Sequence, residues 1–144
     1  MKVIICGDRE CEDMAILEQA IKDSGFKITK VIYGDARGAD TLGKEWAENN
    51  GIPFKTYKPK WDDIKAEGAV VKEKINNWTK KKEKYNAMAG FKRNSDMVDD
   101  ADAVIALQPN GPTEGTSDTI KKAKKKGIPV YIYEKQKSDY KFEF

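Results

Sequence analysis

Arginine is rare in this chain and oddly placed. Of 27 basic residues only Arg9, Arg37 and Arg93 are arginine, each beside a glycine or in a short polar turn. A guanidinium grips phosphate or carboxylate at two points, whereas a lysine acts as a point charge. Three ordinary surface arginines are the plain alternative. Glycine-rich turns accompany them. Gly7-Asp8-Arg9 ends an apolar run, and its glycine lets the chain turn tightly and a ligand come close. In Gly34-Asp35-Ala36-Arg37-Gly38-Ala39-Asp40 two glycines bracket Arg37, and the small Ala36 and Ala39 keep the approach clear. Asp40 falls where a helix should start, so it either caps that helix or meets a ligand. Gly111-Pro112-Thr113-Glu114-Gly115-Thr116-Ser117 joins glycine turns and hydroxyls to another helix start; its plain reading is a loop capped by Thr116 or Ser117. Free amides at helix starts attract anions, so the chemistry indicated is the holding of phosphate. Neither a complete G-x-G-x-x-G nor a G-K-[ST] occurs.

Other chemistries lack their parts. There is no histidine, which removes a Ser-His-Asp relay. Zinc would need carboxylates together with Cys6 and Cys11, the two cysteines. Cys6 sits in an apolar run and reads as buried filler, and both thiols read as free in a reducing cytosol. We expect no catalytic residue, no metal site and no cofactor.

The elements that must position these turns follow from the hydrophobic pattern. Lys2 to Cys6 is short, apolar and β-branched, hence a buried strand. Asp13 can cap a helix through Ser24, with Met14, Leu17, Ala20 and Ile21 inward and Gly25 at the exit. Further strands are expected at Ile28–Tyr33, Pro53–Tyr57, Asp102–Leu107 and Pro129–Tyr133. Helices are expected at Ala39–Asn50 and Thr116–Lys126. Alternating strands and helices with continuous apolar strands imply an α/β, Rossmann-like, doubly wound fold. The sheet is mainly parallel and five-stranded, in order 3-2-1-4-5, with a helical insertion. In such sheets ligands sit beyond the carboxyl ends of the strands, where the arginine-bearing turns lie.

With 144 residues, 39% hydrophobic, 35% charged and net charge +3, the chain fits one domain, 1–144. Such a chain buries roughly two thirds of its unfolded surface without disulfide or metal. No apolar run reaches the roughly 20 residues of a membrane span, and the start MKVIICG is too soon broken for a signal peptide. A cytoplasmic location is expected.

Residues 62–89 break the rhythm. Ile64, Val71, Trp78 and Tyr85 recur every seven residues with Ile75 between them, which predicts a lysine-rich helical insertion. It is a solvated helix on the sheet, an oligomer arm, or a lid whose Lys80, Lys81, Lys82 and Lys84 face an anion. Lys121, Lys122 and Lys124 to Lys126 read as a solvated helix face that complements the helix dipole. In the tail, 134–144, Asp139 to Phe144 alternate like a strand.

The runs VIICGDR, GDARGAD, Trp61-Asp62, AGFKRN, ADAVIA and GPTEGTSDTI, in that order, resemble the YspA/CpYpsA-related branch of the SLOG superfamily, found in bacteria and their phages. The resemblance covers almost the whole chain outside the insertion and the tail. It implies a Rossmann-like fold that binds nucleotides or nucleotide-derived signals, ADP-ribose-like molecules among them. Some relatives hydrolyse nucleoside monophosphates, others carry molybdenum cofactor, others bind single-stranded DNA. Carried over, Gly7, Asp8, Arg9, Gly34, Ala36, Arg37, Gly38 and Asp40 would line the ligand site. Arg93 and Asn94 would reach in from the helix before the fourth strand, and Gly111, Gly115 and Thr116 would hold phosphate. The hydrolase relatives carry P-G-G-x-G-T-x-x-E; here Thr119 stands at the glutamate's place and Pro112-Thr113 replaces paired glycines.

Three functions compete. The first is non-catalytic binding of a nucleotide-derived ligand, ADP-ribose-like or a cyclic nucleotide signal; in a phage, working in the host cytoplasm, this would be a sponge for an immune signal. The second is an N-glycosidic hydrolase of nucleoside phosphates or NAD, using Asp40, Glu114 or Asp118. The third is single-stranded nucleic-acid binding, disfavoured by the modest net charge and the lack of clustered aromatics. A homo-oligomer is expected on family grounds, and no membrane partner.

Overall fold

The computed structural model describes residues 1–134. The strand-like reading of the tail falls outside the described residues. The element order is β1 (Lys2–Gly7), α1 (Met14–Ser24), β2 (Lys30–Tyr33), α2 (Ala39–Asn49), β3 (Phe54–Thr56), β4 (Val71–Ile75), β5 (Lys82–Asn86), α3 (Ala89–Asp100), β6 (Ala103–Gln108), α4 (Glu114–Lys126) and β7 (Val130–Glu134).

Five strands form one parallel sheet in the order β3-β2-β1-β6-β7. Leaving aside β4 and β5, this is the expected 3-2-1-4-5 order. Side chains alternate across a strand, and the core divides by that parity. Val3, Ile5, Ile105 and Leu107 pack on one face with Leu17, Ala39 and Leu42 from α1 and α2. Ile4, Cys6, Val104 and Ala106 pack on the other with Met97, Val98, Ile120 and Ala123 from α3 and α4. Because both faces are covered, β1 and β6 are apolar at successive positions rather than at alternate ones.

The helix ends follow local chemistry. Asp13 caps α1, accepting from the Ala15 N–H at 3.0 Å, and Gly25 closes it at φ 70°. The lysine run of α4 is not wholly a solvated face. Lys126 Nζ donates to the carbonyls of Val98, Asp99 and Ala101 at 2.8–3.1 Å, which caps the end of α3. Lys122 Nζ donates to the Phe91 carbonyl at 2.6 Å and to Asp118 at 2.7 Å, clipping α4 to α3.

The insertion corrects the expectation of a helix over 62–89. It contains an antiparallel hairpin, β4–β5, with Val71 opposite Asn86 and Ile75 opposite Lys82. The sevenfold recurrence is coincidental: Val71 and Tyr85 lie on separate strands and Trp78 is in the turn, 95% exposed. The physical signals were the strand alternation Val71-Lys72-Glu73-Lys74-Ile75 and an asparagine turn. Asn76 Oδ1 accepts from the N–H groups of Trp78 and Thr79 at 2.9 and 3.3 Å, and Lys80 takes positive φ (59°). Glu73 faces Lys84 and Lys74 faces Glu83 across the ladder, so the mixed charges are cross-strand pairs.

Candidate functional site

The cleft opens where β1 and β6 end, beside the starts of α2, α3 and α4. Its volume is about 670 Å³, within the range of small-molecule sites. The chain must cross itself tightly to build it. Gly7 has φ 146°, and a Cβ there would lie 2.1 Å from the Leu107 carbonyl oxygen. Gly38 has φ 77°, and a Cβ there would lie 2.3 Å from the Arg9 carbonyl oxygen. Side chains at either point would drive β1 from β6, or the Arg9 turn from α2.

Asp8 ties the strand ends together. Its carboxylate accepts from the Glu10 N–H at 2.8 Å and from Asn110 Nδ2 at 2.7 Å. Its main-chain carbonyl accepts from Cys11 and Ala39, both at 3.1 Å. Asp40 is also buried. It does not cap its own helix; Oδ2 accepts from the N–H groups of Gly34 and Ala36 at 3.1 and 3.2 Å, folding the preceding loop onto α2. Burial pushes its carboxyl up to about 6; the Ala36 and Gly34 amides, Arg93 and Arg9 oppose the rise.

Arg93, from α3, donates to the Gly34 carbonyl and through Nε to Asn94 Oδ1 at 3.0 Å. Gly34 lacks a side chain where this guanidinium lies, since a Cβ would sit 2.7 Å from Nη1. Burial lowers the Arg93 pKa, and Asp40 opposes the fall. Asn94 in turn donates to the Gly115 carbonyl at 3.2 Å and to Asp118 at 3.1 Å, locking α3 against the start of α4.

At α4 the helix begins at Glu114 with Thr113 as its cap position and no side-chain capping bond. Thr116 and Ser117 therefore lie inside the helix rather than capping it. Thr113 and Thr116 share a hydroxyl hydrogen bond of 2.9 Å. Thr119 is 1% exposed, and its hydroxyl donates to the Gly115 carbonyl at 3.3 Å. At the place of the hydrolase glutamate, then, stands a hydroxyl spent on the helix main chain.

Of the residues singled out from the sequence, Gly7, Asp8, Arg9, Ala36, Asp40, Arg93, Asn94, Gly115 and Thr116 line the cleft. Gly34 and Gly38 stand behind it, under Arg93 and Arg9. Gly111 and Arg37 are outside the lining. Arg37 is 75% exposed on its side chain and pairs with Glu10 at 3.4 Å. Two of the three guanidiniums therefore share the cavity, and the third sits on its outer rim. Sequence reasoning missed Trp61, Lys72, Tyr85 and Phe91 as lining residues, because the hairpin that carries Lys72 and Tyr85 was read as a helix; the expected lack of clustered aromatics is corrected, since three of them line this one cleft. Cys6 lines the floor, where burial and Asp40 push its thiol far up, so it is no thiolate nucleophile. Among the described residues no cluster of three or more His, Cys, Asp or Glu could hold a metal ion. Nor is any described helix long and apolar enough to cross a membrane.

A sequence model described as the YspA, cpYpsA-related SLOG family matches residues 1–63, which carry Gly7 to Arg9 and the Gly34–Asp40 turn. The Gene 61 protein of Mycobacterium phage D29 is 30% identical over 135 residues, covering 90% of this chain and 93% of that protein. Among solved structures, DNA processing protein A (DprA) from Streptococcus pneumoniae aligns with a TM-score of 0.62 at 19% identity, over 91% of this chain. The chain spans about half the length of DprA, 49%, and at that identity the likeness is one of fold alone.

Proposed function

The chain belongs to the YspA, cpYpsA-related SLOG family, and from that premise we propose that its cleft binds a nucleotide-derived ligand without turning it over. One observation carries the reading: Arg9 and Arg93, from separate elements, line one cavity with the start of α4. Arg9 supplies a guanidinium fork, Arg93 adds the Nη2 end that Gly34 and Asn94 leave open, and the amides of a helix start add to them. The hydroxyl of Thr119 is spent on the Gly115 carbonyl, and Asp118 is held by Lys122 and Asn94. Those engagements favour holding over hydrolysis. The ligand class is ADP-ribose-like or a cyclic nucleotide signal. The relative is a phage protein, and in a phage such a binder would sequester an immune signal in the host cytoplasm. A homo-oligomer belongs to the same reading, and the exposed Val70, Val71 and Ile75 supply apolar surface for it.

A second reading, N-glycosidic hydrolysis, is favoured by the place of Asp40 in the cleft lining, where burial pushes its carboxyl up to about 6, a range suited to acid–base work.

Mass spectrometry of small molecules released from the purified protein, with calorimetry over a nucleotide panel, tests both. We expect a nucleotide-derived ligand recovered intact, at least ten-fold weaker binding in Arg93→Glu, and a smaller loss in Arg37→Glu. No bound nucleotide on any arm would overturn the proposal. Product formation that Asp40→Asn abolishes would replace it with the hydrolase.

A further inference from the structure

The charged lining of the cleft accounts for only part of it. Three aromatic side chains complete the lining: Trp61 from the loop after β3, Tyr85 from β5 and Phe91 from α3. None of them belongs to either core cluster, and Trp61 is 44% exposed. A large ring left open to a cavity forgoes burial that a folded chain would otherwise gain, which marks it for a partner with an apolar face.

The rings adjoin the arginines. Gly90 stands at the junction: a Cβ there would lie 3.3 Å from Trp61 Cη2 and 3.9 Å from Arg93 Nη2. An indole edge and a guanidinium thus approach one position that carries no side chain. Asn86 holds the arrangement. Its N–H donates to the Trp61 carbonyl at 2.6 Å. Its buried side-chain carbonyl accepts from the Val70 N–H at 3.4 Å and the Met88 N–H at 3.0 Å. The root of the hairpin, the Trp61 loop and the start of α3 are thereby pinned together. Lys72 and Tyr85, opposite one another on the hairpin, both line the cleft, and Lys74 Nζ lies 5.6 Å from the Tyr85 ring centre.

We propose that the Trp61 loop and the inserted hairpin form a nucleobase site, in which the Trp61 and Tyr85 rings pack on a planar base while Arg9 and Arg93 hold the phosphate of the same ligand. The inference rests on the nucleotide reading above and narrows it: the cleft selects nucleotides over phosphorylated sugars. Stacking of a base on an aromatic ring is sequence-tolerant, so the site recognises a base as such before it distinguishes among bases.

The test is calorimetric titration of the full chain with adenosine 5′-monophosphate and with ribose 5-phosphate. We expect wild type to prefer the nucleotide by about ten-fold or more. Trp61→Ala and Tyr85→Ala should each lose most of that preference while leaving ribose 5-phosphate binding unchanged, and Trp61→Phe should keep it. Unchanged binding of the sugar phosphate also reports that the variant is folded. Should Trp61→Ala fail to fold, Tyr85→Ala decides, because Tyr85 lies on a hairpin outside the main sheet. Equal wild-type affinity for the two ligands, or a preference that survives both alanine variants, would overturn the base site and leave the anion grip standing. Binding of neither ligand would overturn both.

Discussion

Asp40 is a carboxylate placed where its charge is costly. Burial raises its pKa from the ordinary 3.8 to about 6, so the folded chain holds this proton more tightly than the unfolded chain does. The linkage has a definite sign. Between about pH 4 and 6 the native state binds more protons, so Asp40 detracts most from stability above pH 6 and least below pH 4. On lowering the pH from 7.5 to 4, wild type should gain about 2 kcal/mol relative to Asp40→Asn. Urea unfolding of the two proteins at stepped pH measures it, and parallel profiles would show that Asp40 titrates normally. The sequence placed Asp40 at a helix start but could not tell a cap from a clasp on the preceding loop, since both use a carboxylate accepting amides. It likewise singled out Arg37 by type and by its glycines. Its exposed partner Glu10 comes from a distant turn and leaves no local signal.

Among the elements, the hairpin depends on Asn86. Replacing Asn86 by alanine removes the acceptor shared by Val70 and Met88, at a cost of about 0.5–1.5 kcal/mol, since water can reach both donors. A two-stranded hairpin is marginal by itself, so its root should loosen before the sheet does. Trypsin should then cut within 72–84 faster in Asn86→Ala than in wild type, with the remainder protected. Equal cleavage would show that the hairpin needs no such anchor. This element was the least legible in the sequence. A spacing of seven with Lys and Glu between apolar residues imitates a helix, and cross-strand Glu–Lys pairs draw on the same composition. By contrast α1 was readable to its ends, because Asp13 and Gly25 act on their own neighbours.

Over the whole molecule the sheet carries the fold, and the sheet was legible because its strands lie between two helical layers. Ile105 is completely buried in β6, paired with β1 on one side and β7 on the other. Ile105→Ala should cost about 2–5 kcal/mol through lost burial and the cavity left behind. Urea denaturation measures that loss, and a change below 1 kcal/mol would mean that the layers close over the gap. The cleft was only half legible for the same geometric reason. Turns at strand ends announce themselves through glycine, whereas the aromatic side is assembled from a loop, a hairpin and a helix whose rings carry no shared spacing or turn signal.

The hairpin pairs with itself rather than with the five-stranded sheet, and neither core cluster includes any of its residues. It is an appended panel on a finished frame. Provided the Val70–Asn86 root is kept, residues 71–85 can therefore be rewritten, lengthened or exchanged without disturbing the foundation, and the wall they form can be refitted alone.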